Sequence, residues 1–186
     1  MNIFYLDHDV RKCAEYHLDK HVVKMILETC QLLSTAHRIL DGNETQIKSK
    51  TGRNKKIWRL SDDRETILYS ATHINHPSAV WRRSSNSNYN WLHSLLTELC
   101  HEYTFRYGKI HKCEQIGLVG KLQSCPNNIS VGHFTQVTPA MPDDVKLENS
   151  ILSYRNYYIK NKSKMATWKN RSVPEWYEES NYTYSN

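Results

Sequence analysis

From His17 to Leu33 the chain reads His-Leu-Asp-Lys-His-Val-Val-Lys-Met-Ile-Leu-Glu-Thr-Cys-Gln-Leu-Leu. A helix advances about 100° per residue, and at that pitch the stretch separates into two stripes. Val22, Val23, Ile26, Cys30 and Leu33 share one side, the side expected to face a core. His17, His21, Lys24 and Glu28 share the other, each one helical turn beyond the last. The pattern predicts a helix with Asp9 as N-cap, one break before His37 and an end at Gly42.

The rest of the chain extends the helical reading in both directions. Residues 2–6 (Asn-Ile-Phe-Tyr-Leu) read as a short strand or an extended arm. Residues 42–56 are polar and lysine-rich and read as a loop, with Lys48, Lys50, Arg53, Lys55 and Lys56 either solvated or set for phosphate. A short helix is expected over 62–72, and the segment Thr72-His73-Ile74-Asn75-His76-Pro77 is a break. Pro77 suits a first helical turn, and the chain then reads helical to Tyr107, with an interruption around 84–88. Leu92, Leu95, Leu96, Leu99 and Tyr103 recur at helical spacing there, and Gly108 stands where a terminating glycine belongs. A short helix is expected over 113–123 and a final one over 146–162. Prolines 126, 139 and 142 with Gly132 make 124–146 an ordered loop. The expected fold is mainly α: a single compact helical domain over residues 1–186, with an extended N-terminal arm and a long ordered loop before the C-terminal helix.

Composition narrows the function classes. Of 186 residues, 39% are hydrophobic and 24% charged, which is globular rather than disordered. The net charge of +6 and a pI near 9.0 favour a polyanionic partner such as nucleic acid. The five scattered cysteines include no Cys-x-x-Cys pair, so neither a disulfide framework nor a thiolate zinc site is expected. The N-terminus has no signal-peptide pattern and no stretch approaches a membrane span. The expected setting is therefore cytoplasmic (host cytoplasm or nucleus if viral), with no membrane partner and no cofactor.

Two kinds of polar cluster carry candidate chemistry. The column of His17, His21, Lys24 and Glu28 offers proton donors, an amine and a carboxylate beside an anionic substrate. His17 and His21 at i and i+4 could instead share a metal ion, although no third ligand stands at a recognised spacing. A solvated face with a Lys24–Glu28 pair accounts for the same residues. For gripping a strand the candidates are His73, Asn75 and His76 at a helix start, extended by Arg82 and Arg83. Arg106 and Lys109 follow at a helix end, then Tyr154, Arg155, Trp168, Lys169 and Arg171. Aromatic rings interleaved with bases suit unstacked nucleotides, although Tyr154, Tyr157 and Tyr158 also fit a packing face at i, i+3, i+4.

The order of these pieces resembles the phage and viral pyrimidine-dimer DNA glycosylases, the T4 endonuclease V-like family. The likeness rests on Ala14-Glu15-Tyr16-His17-Leu18, then His76 before a long helix, then Leu96-Thr97-Glu98-Leu99-Cys100 running into Arg106-Tyr107-Gly108. The C-terminal Trp168, Trp176 and Tyr177 complete it, and Asp19–Met25 and Thr72–Pro77 are similar to phage proteins given the same label. The resemblance implies an all-helical enzyme that flips a nucleotide from duplex DNA. It also implies an N-terminal α-amine that attacks the sugar C1′ to form a Schiff base, assisted by a carboxylate on the first helix. Carried over, His17 matches a substrate-binding histidine, and Glu28 is the nearest following acid on its face. In the family the amine belongs to a small residue exposed by removal of the initiator Met. Asn2 is bulky and leaves Met1 in place, and Glu28 lies more than a turn later than the family carboxylate. Either the amine is that of Met1, Lys20 or Lys24, or the reaction has changed.

The expected activity is a DNA N-glycosylase, with or without AP-lyase activity, on damaged or modified pyrimidine bases. Its catalytic candidates are Met1, His17, His21, Lys24 and Glu28. A phosphate-handling enzyme on free nucleotides, metal-assisted or not, and a non-catalytic nucleic-acid-binding module are the alternatives.

Overall fold

The computed structural model describes residues 1–49 and 51–183; Lys50, one of the bases read in the 42–56 loop, lies outside them. Among the described residues the chain forms nine α-helices and one two-stranded sheet, so the fold is mainly α. No helix among them is long and apolar enough to cross a membrane.

Helix α1 (Val10–Tyr16) starts where Asp9 accepts a hydrogen bond from the Lys12 N–H at 2.9 Å. It ends at His17, whose backbone is extended, and α2 (Asp19–Asp41) restarts after Leu18. Leu18 offers no capping side chain, so tertiary contacts hold the new start. The Asp19 N–H donates to the Thr167 carbonyl, while the Asp19 carboxylate receives Arg106 and the Lys169 N–H. Val22, Met25, Ile26, Cys30 and Leu33 are buried on the inner face of α2. Val23 is instead 40% exposed: it stands at the margin of the stripe, and Met25 fills the core in its place.

Gly42 ends α2 because the chain turns sharply there; a Cβ would come within 2.5 Å of the Arg38 carbonyl. Beyond it the expected loop is an antiparallel hairpin, β1 (Asn43–Lys48) with β2 (Asn54–Arg59), in the register Asn43 opposite Arg59 and Lys48 opposite Asn54. Its alternation is too polar to stand out in sequence, and pairing supplies what periodicity lacks. The helix expected over 62–72 shrinks to the single turn α3 (Arg64–Ile67).

Helix α4 (Pro77–Arg83) follows the predicted break, with His76 as its N-cap. Helix α5 (Asn86–Tyr107) is capped by Ser85 and closed by Gly108 in the left-handed conformation (φ +63°), where glycine carries no steric cost. Leu92, Leu95, Leu96 and Leu99 pack it against α2 and α1. The segment 113–123 splits at Gly117 into α6 (Lys112–Gln115) and α7 (Leu118–Lys121).

The long loop is ordered by polar side chains of the helices beneath it. The Asn127 and Asn128 N–H groups donate to Asp41, Gly132 N–H to Asn86, and Thr135 N–H to Asn88. Helix α8 (Ser150–Lys162) begins after Asn149, later than the expected residue 146, because the Asn149 side chain caps the Leu152 N–H. A further helix, α9 (Glu175–Thr183), has no counterpart among the helices expected from sequence; Trp176 and Tyr177 dock it on Tyr16, Tyr158 and Trp168.

Candidate functional site

The arm before α1 belongs to no helix or strand, and Ile3, Phe4, Tyr5 and Leu6 are all buried in the core. Phe4 sits at φ +52°, a conformation that costs a β-carbon-bearing residue on the order of 1 kcal/mol or more. In exchange its ring stacks on His21, with centroids 4.1 Å apart. The Asn2 side chain locks the arm's start. Its Nδ2 donates to the Ala140 carbonyl at 2.8 Å, and its Oδ1 accepts from the Tyr154 hydroxyl at 2.7 Å and the Ile3 N–H at 2.9 Å.

That anchoring delivers the chain terminus to the middle of α2. The Met1 α-amine lies 3.8 Å from Glu28 Oε2, and the Asn2 N–H donates to the same oxygen at 3.2 Å. Lys24 Nζ holds the other oxygen at 3.2 Å. The Met1 side chain is only 4% exposed and packs against the core, while the residue as a whole keeps intermediate exposure. Its accessible part is therefore the backbone end that carries the amine. His76 lies near enough to this group to feel its charge. Its pKa is lowered, first by burial, then by the charge of the amine and of His73, with Glu28 acting the other way. His76 Nδ1 accepts the Ser78 N–H, which leaves Nε2 as the free ring nitrogen. Arg83 braces this turn by donating to the Ile74 carbonyl at 2.6 Å. His73 and Asn75 are exposed beside it.

The structure divides the predicted column of four. Lys24 and Glu28 face the amine, but His17 and His21 are turned inward. His17 is fully buried as the cap of α1, with Nδ1 against the Cys13 carbonyl at 2.7 Å. His21 is buried with Nδ1 against the Tyr158 hydroxyl at 2.7 Å. Burial brings the two imidazoles down to about 4 and about 3, so both are neutral at physiological pH. The break at Leu18 also removes the i, i+4 geometry by which they could share a metal ion. Both rings pack against Phe4 of the arm.

The predicted strand-gripping residues divide as well. Arg82 is fully buried and donates to the Leu32 and Ala79 carbonyls, tying α4 to α2; it is no phosphate contact. Arg106 is buried between Glu102 and Asp19, because the restart of α2 needs its charge. Tyr154 is the arm's anchor, and Trp168 is a core ring whose Nε1 donates to the Tyr16 carbonyl. Arg155 donates to the Leu6 carbonyl and Asp7 and lies between the Tyr16 and Trp176 rings. Arg171 is held by Glu102 and Glu15 over Phe105. Lys109 and Lys169 remain exposed, Lys169 over the Tyr107 ring.

Sequence reasoning does not reach Asn2, Phe4 and Tyr158 as supports of the site. The one signal for them is the hydrophobic run after Asn2, which is unlike a solvated terminus. Compared with protein-family models, curated proteins and solved structures, the chain matches none of them.

Proposed function

We propose that the protein is a DNA N-glycosylase with AP-lyase activity on damaged or modified pyrimidines, and that its nucleophile is the α-amine of Met1. The observation that carries this reading is the amine held 3.8 Å from the carboxylate of Glu28 by an arm whose Asn2 side chain is committed to Ala140 and Tyr154. An α-amine, with an ordinary pKa near 8, is a better nucleophile at neutral pH than a lysine. The amine nitrogen bonds to the sugar C1′ as the C1′–base bond breaks, and the base leaves with the bonding pair and takes a proton. Glu28 accepts the proton that the amine gives up, and opening of the sugar ring completes an imine. Removal of a C2′ proton then expels the 3′-phosphate, which is the lyase step. Lys24 holds the Glu28 carboxylate in place through its far oxygen, and His76 lies on the same side to exchange protons with the sugar oxygen.

Borohydride reduction on a duplex with an abasic site tests this directly. The expected result is a covalent protein–DNA adduct, with the modified peptide containing Met1. Acetylation of the α-amine should abolish it, while Lys24→Ala should leave it in place. An adduct on Lys20 or Lys24, or none on any abasic duplex, would overturn the reading.

A further inference from the structure

The hairpin formed by β1 and β2 holds nearly all of the chain's net charge. Residues 43–59 contain six lysines and arginines against one glutamate; the remainder of the chain holds nineteen basic against eighteen acidic residues. β1 is exposed along its whole length, and β2 is exposed except for Ile57 and Trp58. The hairpin is fastened at its base, where Arg38 donates to the Trp58 carbonyl and Glu65 receives Arg59 and the Leu60 N–H. Lys56 pairs with Glu44 across the strands. Among the described residues Lys48, Arg53 and Lys55 have no carboxylate within ion-pair distance.

The register places the charge on both surfaces of the ribbon. Gln46 pairs with Lys56 and Lys48 with Asn54 on one face; Ile47 pairs with Lys55 and Asn43 with Arg59 on the other. A few edge lysines are enough to deter strand-to-strand aggregation. Five bases among the described residues of one short ribbon, beside a body close to neutral, exceed that need and repel one another unless a polyanion is present. A two-stranded ribbon fits the major groove of a duplex, where cations on its two faces meet the two phosphate backbones.

We propose that the β1–β2 hairpin is a second, separate contact surface for duplex DNA, entering a groove and supplying most of the sequence-independent affinity. The choice of a duplex rests on the reading of the Met1–Glu28 site as one that acts on DNA; the cationic ribbon itself does not. Along α2 the rise from Glu28 to the helix end is about 20 Å, the length of roughly six base pairs. One duplex can therefore span both surfaces.

The test uses the full chain and a lesion-free duplex, with binding followed by fluorescence anisotropy as salt is raised. Lys48→Ala, Arg53→Ala and Lys55→Ala together should flatten the log–log salt slope by up to about three units and weaken binding at least tenfold at low salt. Lys48→Arg with Lys55→Arg should keep the wild-type slope, which separates charge from folding. Trapping on free 2-deoxyribose 5-phosphate should survive the triple substitution, because that ligand is too small to reach the hairpin. An unchanged slope, or no duplex binding by the wild type at low salt, would overturn the proposal. Duplex binding that depends on the hairpin, together with no adduct on any abasic substrate, would keep the proposal and sink the Schiff-base reading instead.

Discussion

The N-terminal arm and the β1–β2 hairpin are two non-helical parts of this chain, and they treat polar groups in opposite ways. In residues 1–6 the side-chain amide of Asn2 is committed to Ala140, Tyr154 and Ile3, and one amine is left beside one carboxylate. In residues 43–59 the strands are exposed, and Lys48, Arg53 and Lys55 have no ion-pair partner among the described residues. Covalent chemistry needs reacting atoms held within a few tenths of an ångström, so its neighbourhood must be rigid. Attraction to a polyanion is long-ranged and non-directional, so loose charges serve it well. Burial, more than residue type, separates the two proposed tasks.

The largest expected effect lies where the arm meets α2. Glu28→Gln keeps the shape of the site but removes the proton acceptor, and should lower the rate of adduct formation on abasic DNA by about 10²- to 10⁴-fold. A loss under threefold in single-turnover trapping would erase the contrast, since Glu28 would then be only an ion-pair partner.

Next comes a cation that sequence alone makes look like the hairpin's. Arg106→Ala removes the ion-pair partner of Asp19 and leaves the buried Glu102 to Arg171 alone, and should cost about 3 kcal/mol in denaturant unfolding. A cost below 1 kcal/mol would show that Arg106 is dispensable to the fold.

Acid should reach the arm before the hairpin. His17 and His21 titrate near 6.5 when unfolded but only at about 4 and about 3 when folded. The unfolded chain therefore binds protons that the native chain refuses. Their contribution to stability is full above pH 6.5 and is lost as pH falls toward 4 and 3. From pH 6.5 to 5.5 the two together should cost about 2 kcal/mol. His21→Gln should reduce that slope; an unchanged slope would remove His21 from the account.

The smallest effect belongs to the hairpin's own stability. Lys55→Ala touches no buried partner and should change unfolding free energy by no more than about 0.5 kcal/mol. A larger loss in urea titration would mean that the hairpin charges support the fold.

Much of the helical scaffold is legible in the order of residues alone. Asp9 as a cap, the leucine stripe of α5, the stop at Gly108 and the Pro77 start are local signals, readable within one or two turns. The hairpin is not legible in that way, because its strands are too polar to alternate clearly and only cross-strand pairing defines them. Helix α9 is hidden for a related reason: a short helix gains its stability from docking Trp176 and Tyr177, not from its own propensity.

The candidate site shows the same division more sharply. The sequence alone determined a mainly helical chain, a surplus of positive charge, and Lys24 and Glu28 together on one face of the second helix. Only the tertiary structure decided that Met1 reaches Glu28, that His17 and His21 turn inward, and that Arg82 and Arg106 are core braces rather than phosphate contacts. Helical spacing follows from backbone geometry over neighbouring residues, whereas the burial of a charge depends on partners far along the chain. Tyr154 holds Asn2, and Asp19 holds Arg106, across long stretches of the sequence, and no local pattern records such pairings.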